Sequence, residues 1–175
     1  MKTGAKVAVM VALSVAAPAQ AEVKAATTVG FELESKIVVA ATPGEAYAML
    51  GRIGDWWNPA HSYSGEGANL HLDLKAGGCF CETLQGGGSV EHMRVVFVQP
   101  GSVLRLQGGL GPLQTEGATG TLTWSLKPAI DGTEIVQTYV FGGYVRGGAD
   151  KIAPIVDQVM AEQLDRLRAK LNRVR

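Results

Sequence analysis

The chain has 175 residues with 16 Lys and Arg against 16 Asp and Glu, and 46% of it is apolar while only 6% is aromatic. That even balance, with no basic run, removes the electrostatic case for a nucleic-acid partner, and the length suits one domain with a largely aliphatic core. None of the glycine clusters, such as Gly86-Gly87-Gly88 or Gly147-Gly148, has the G-x-G-x-x-G or G-x-x-x-x-G-K-[ST] spacing of a phosphate cradle.

Residues 1–21 read as an export signal. Lys2 and Lys6 precede an uncharged apolar run, Val7 to Ala17, which ends in Pro18-Ala19-Gln20-Ala21, a small-x-small cleavage site. The run is well short of the ~20 residues that span a membrane. Cleavage after Ala21 predicts one exported domain, residues 22–175, periplasmic in a Gram-negative host, with no stable membrane insertion once the signal is gone. Loss of Lys2 and Lys6 moves the net charge from 0 to −2.

Phe31 to Ala41 starts with Phe31, Leu33 and Ser35 alternating against Glu32, Glu34 and Lys36, which predicts a strand. Thr42-Pro43-Gly44-Glu45 fits a capping box with proline in the first helical position, so a short helix follows through Leu50, and a second helical turn over Arg52 to Trp57 is expected. Two of the three tryptophans then fall in Gly54-Asp55-Trp56-Trp57-Asn58-Pro59-Ala60-His61-Ser62-Tyr63-Ser64-Gly65, among turn-forming residues. Apolar surface left in water forfeits roughly 25 cal/mol per Å². This loop must therefore fold over the core or over a ligand.

Six more strands are predicted: Leu70–Lys75, Cys79–Leu84, Val90–Val98, Val103–Gln107, Thr119–Leu126 and Glu134–Phe141, separated by Gly- and Pro-rich turns. In the fifth of these, Thr119, Thr121, Thr123 and Ser125 face out while Leu122, Trp124 and Leu126 face in. Apolar residues at Ile152, Ile155, Val156, Val159, Met160, Leu164, Leu167 and Leu171 then keep the rhythm of one long helix, with Pro154 expected in its first turn.

The order is strand, short helices, six strands, long helix. Short loops make the sheet antiparallel, and a single long helix is available to cover it, so the fold class is α+β: a curved antiparallel sheet of about six or seven strands wrapped around a C-terminal helix. A curved sheet gripping one helix leaves space between them.

The order of elements over about Phe31 to Leu171 resembles the START-like, helix-grip superfamily (SRPBCC), which includes polyketide cyclases and activators of the ninety-kilodalton heat-shock ATPase. Thr42-Pro43-Gly44-Glu45-Ala46, Trp56-Trp57-Asn58-Pro59, Leu74-Lys75-Ala76-Gly77-Gly78-Cys79-Phe80 and Val98-Gln99-Pro100-Gly101 carry the likeness to the activator-like and cyclase branches. None is a catalytic signature. The resemblance implies a deep cavity for an apolar small molecule, closed at one end by the tryptophan loop, with one tryptophan anchored in the core and Trp57 facing the cavity. Trp57, Tyr63, Trp124, Tyr139 and Met160 would form its walls.

Polar residues on inward parities are the candidate anchors, because a buried polar group needs a partner. Gln137 and Tyr139 share a parity with Ile135 and Phe141, and Glu82 shares one with Phe80 and Leu84. They would hold a ligand's polar end, or simply satisfy one another. For His92 both parities of its strand carry apolar residues, so its direction stays open; facing Glu82, it could do acid-base work.

Cys79 and Cys81 lie on one face of a strand, and in regular geometry their Cβ atoms are ~6 to 7 Å apart, beyond the ~3.8 Å of a disulfide. Free thiols and a bulge-assisted or intermolecular disulfide remain open, and no spacing among Cys79, Cys81, His61, His71 and His92 supports a metal site. No serine sits in a G-x-S-x-G context. These readings favour a non-catalytic, cofactor-free binder of an apolar small molecule. A cyclase- or dehydratase-type enzyme using Glu82, His92 or Tyr139 comes second and a protein-interaction module third.

Overall fold

Strict alternation along the sheet strands builds the core. In the computed structural model, which describes residues 20–173, Phe31, Leu33, Ser35, Ile37 and Val39 are buried on one face of β2 (Gly30–Val39) while Glu32, Glu34, Lys36 and Val38 face away. The same parity buries Leu122, Trp124 and Leu126 on β7 (Gly117–Ala129) and Ile135, Gln137, Tyr139 and Phe141 on β8 (Gly132–Tyr144). Between them in sequence come β3 (Leu70–Leu72), β4 (Cys79–Thr83), β5 (Ser89–Gln99) and β6 (Val103–Gly108).

The sheet has eight strands in the order β1-β2-β8-β7-β6-β5-β4-β3, all antiparallel. The seven expected strands are present. The eighth, β1 (Gln20–Thr27), forms a hairpin with β2 and packs beside the long helix. It escaped the sequence reading because Glu22, Lys24 and the alanines around them give no apolar alternation. The expected export signal lies outside the described residues except for Gln20 and Ala21, which begin this strand.

Helix α1 (Pro43–Gly51) starts as its sequence dictates. Thr42 Oγ1 accepts from Glu45 N–H at 3.3 Å, and the Glu45 carboxylate accepts from Thr42 N–H at 2.8 Å. Helix α2 (Ala149–Leu171) turns Ala149, Ala153, Met160, Gln163, Leu164, Leu167 and Leu171 inward. It starts at Ala149, so Pro154 falls just beyond the first turn and leaves the Asp150 carbonyl without its helical donor.

The outer face of the sheet is polar where it was expected to be. Phe97, Arg105, Thr123, Thr138 and Glu34 lie in one row across five strands, and Arg105 covers the Phe97 ring at 5.6 Å while donating to Thr123 Oγ1. That row supplies no continuous apolar surface for a protein partner.

Replacing Thr42 by Ala removes the hydroxyl that accepts from Glu45 N–H and donates to the Glu45 carboxylate, and leaves only the backbone half of the capping box. It should lower stability by about 1 kcal/mol, read as a shift of the urea midpoint at unchanged slope.

Candidate functional site

The tryptophan loop, residues 52–66, is held from two sides. Trp56 is fully buried, packs edge-on against Trp124 with ring centroids 6.2 Å apart, and donates its indole N–H to the Met49 carbonyl at 2.9 Å. Trp57 packs against both Trp56, at 5.8 Å, and Phe80, at 5.4 Å, and donates to the His61 carbonyl at 3.1 Å. From α2, Gln163 Oε1 accepts from Asn58 N–H at 2.7 Å, Glu162 takes the Asn58 amide and His61, and Arg166 donates to the Trp56 carbonyl at 2.8 Å. Hydrogen bonds thus bind the loop to the helix, and the indoles bind it to the sheet.

The other hold is Glu82 on β4. Its carboxylate is fully buried and accepts from Tyr63 N–H at 3.0 Å, from Ser64 N–H at 2.5 Å and from the His92 ring at 2.9 Å. Burial alone would push the carboxyl up, but the donors from Ser64, Tyr63 and His92 outweigh it and hold Glu82 below its ordinary value. It stays ionised. For His92 burial dominates and pushes its pKa down, with the Glu82 carboxylate opposing, so the imidazole is neutral.

A bulge explains how His92 reaches Glu82. Phe80 pairs with Met93 and Cys81 with Glu91, which leaves His92 as an extra residue in β5 with no partner across the ladder. Both His92 and Met93 therefore face inward, which strict alternation forbids. A second shift, at Val96, curls the same strand further.

Between this bulge, the loop, the connection after β6 and the N-terminal half of α2 lies a cavity of about 520 Å³. Trp57, Tyr63, His92, Leu113, Val156 and Met160 are among its walls, which are mostly apolar. Such a volume falls within the ~300 to 1,000 Å³ of small-molecule sites. A larger groove, about 1110 Å³, lies where Val38–Pro43, the β7–β8 turn and Asn172 meet, but its ionisable groups Glu45, Arg52 and Asp131 are all exposed. The chemistry is in the smaller space.

Of the seven residues named from sequence, Trp57, Tyr63 and Met160 line this cavity. Trp124, Gln137 and Tyr139 do not, and their expected place on the wall is corrected. Trp124 donates to Gln137 Oε1 at 2.9 Å, and Gln137 donates to the Met160 carbonyl at 3.1 Å, so the pair satisfies itself in the core. The Tyr139 hydroxyl lies 3.4 Å from the Gly108 carbonyl, and burial pushes the phenol well up. Glu82 lies behind His92, fully engaged by protein donors, and offers no free oxygen edge as a ligand anchor. His92 takes its place. The connection from Leu110 to Leu113 gave no periodic signal that could have marked it as cavity wall.

Residues 30–172 match the family described as "Polyketide cyclase / dehydrase and lipid transport". The chain belongs to it. This family is one branch of the START-like helix-grip superfamily, and solved structures share the fold. A protein from Rhizobium leguminosarum superposes with a TM-score of 0.59 at 17% identity, covering 90% of this chain and 99% of its own. One from Mesorhizobium loti gives 0.59 at 14%, covering 82% and 98%. CalU16 from Micromonospora echinospora gives 0.57 at 16%, covering 86% and 83%. No curated protein matches the chain in sequence. Identities this low establish the family's fold alone.

Within that family fold, Cys79 and Cys81 form a disulfide with Cα atoms 5.3 Å apart. The regular-strand separation was the wrong reference, because β4 bends where its partner bulges at His92. Sulfurs joined in this way are not thiolate ligands, and the nearby Glu91 carboxylate is paired with Arg94.

Exchange of Glu82 for Gln puts an amide N–H₂ against donors and removes the charge they stabilise. It should cost about 3 kcal/mol in urea denaturation. Both Glu82 and His92 titrate below their ordinary values, so on acidification the unfolded chain takes up protons before the folded one does. Stability should be complete above the ordinary histidine value of 6.5 and fall as pH drops from there through the folded pKa of His92. Melting temperature followed against pH should show this loss in the wild type and lack it in His92→Gln.

Proposed function

We propose that the protein is an exported, non-catalytic carrier or sensor that encloses one small, mostly apolar molecule between its sheet and its long helix. The observation that carries this reading is the apolar cavity of about 520 Å³, walled by Trp57, Leu113, Val156 and Met160 and closed by a loop fastened at both flanks. The family description includes lipid transport, which fits an apolar cargo. Export is supported by the signal-like residues 1–21 and by the Cys79–Cys81 bond, since disulfides persist in oxidising compartments.

One observation favours a second reading. A neutral buried histidine backed by a carboxylate at 2.9 Å is the arrangement of a general base, and the same family description includes cyclases and dehydrases. In that reading His92 is the acting group. Tyr139 is sealed in the core, and Glu82 acts only through His92.

Native mass spectrometry of protein from its host's exported fraction tests the carrier. A stoichiometric apolar molecule is expected, and Val156→Trp, which fills the cavity, should weaken binding of a fluorescent apolar probe at least about tenfold. Protein that is always empty, and binds no such probe, would sink the proposal.

A further inference from the structure

His92 presents one edge of its ring to the protein and another to the cavity. The ring is 4% exposed, packed between Phe80 at 4.9 Å and Tyr63 at 6.0 Å, with its Nε2 at 2.9 Å from Glu82 Oε2. A carboxylate that already accepts from two backbone N–H groups can only accept from a third partner, so the ring proton resides on Nε2. In a neutral imidazole that leaves Nδ1 as a bare acceptor. Nδ1 makes no hydrogen bond among the described residues. Nor is it one of their sealed unpartnered polar atoms, which are Tyr47 Oη, Asp157 Oδ1 and Gln163 Nε2.

The other polar groups of the cavity wall are otherwise engaged or lie toward solvent. The Ser62 hydroxyl donates to the Pro59 carbonyl and accepts from Gly65 N–H. His61 Nε2 is turned to Glu162 on α2, its carbonyl is taken by Trp57, and the Tyr63 side chain is largely exposed. The wall residues from the connection after β6, Leu110 to Leu113, and those from α2, Ile152 to Met160, bring no titratable group. Among the described side chains that line the cavity, His92 is thus the recessed polar contact, an acceptor with a fixed negative charge behind it.

We propose that His92 determines what the cavity accepts: an apolar molecule carrying a neutral hydroxyl or N–H donor, in preference to a hydrocarbon or a carboxylate of the same shape. This rests on the carrier reading and names its ligand class. A donor on the ligand completes the hydrogen bonding of Nδ1, whereas a hydrocarbon leaves that buried acceptor unpaired. A carboxylate sets its lone pairs against the lone pair of Nδ1 and its charge against that of Glu82. The tautomer held by Glu82 is the selecting device.

Naphthalene, 2-naphthol and 2-naphthoate, each competed against one fluorescent apolar probe at pH 7, test this. The hydroxyl is the more strongly hydrated substituent, so burial alone would favour naphthalene over the naphthol. Wild type should instead bind 2-naphthol about three- to tenfold tighter than naphthalene, with 2-naphthoate weakest. In His92→Phe the naphthol advantage should vanish while naphthalene still binds. Equal binding of the first two by wild type, naphthoate as strong as naphthol, or an advantage that survives in His92→Phe would each overturn the proposal.

Should that variant not fold, ¹⁵N NMR of the wild-type imidazole decides. Nε2 protonated, with an Nδ1 resonance that moves on addition of 2-naphthol, is expected. Nδ1 protonated, or unmoved by bound naphthol, overturns the assignment. A wild type that binds none of the probes defeats the carrier reading itself, an outcome separate from binding without discrimination.

Discussion

The buried carboxylate of Glu82 is the constraint on which the site depends. An ionised group with no access to water is tolerable only if its donors are in place, and these donors come from different parts of the chain: two successive N–H groups of the tryptophan loop and the bulged His92 of β5. Closing the loop, forming the bulge and orienting the imidazole are therefore one event. None is satisfied without the others.

The bulges explain why a space exists where the sheet meets the helix. A strand with regular alternation would put either His92 or Met93 outside; the extra residue brings both in and bends β5 locally. The Cys79–Cys81 bond ties the opposing strand at the same place, and Phe80, the residue between the two cysteines, packs on both Trp57 and His92 from the buried face. Farther along the sheet, Trp124, Gln137 and the Met160 carbonyl form a closed chain of hydrogen bonds that joins β7, β8 and α2. The core is sealed there, and the cavity is confined to the end beneath the loop.

Helix and loop are joined mainly by polar contacts. Asn58, His61, Glu162 and Arg166 make hydrogen bonds at the edge of solvent, whose net contribution is modest because water offers replacements, whereas Gln163 holds Asn58 N–H from full burial. Trp56, by contrast, is locked into the core.

Much of this was legible in the amino-acid order. Alternation marked seven strands, the 3.6-residue rhythm marked α2, and Thr42-Pro43-Gly44-Glu45 marked the start of α1, because each signal depends only on neighbours along the chain. Parity also put Glu82, Gln137 and Tyr139 indoors, but parity says nothing of what an inward polar group will meet. Gln137 met Trp124 and Glu82 met the loop, so neither faces a ligand. The direction of His92 and the joining of Cys79 to Cys81 both turn on a one-residue slip between β4 and β5, which belongs to the pairing of two strands and to neither sequence alone. The residues themselves determine the fold and its family. Which side chains share the cavity was decided only in three dimensions, where the need to satisfy one buried charge selects among arrangements that local periodicity leaves equal.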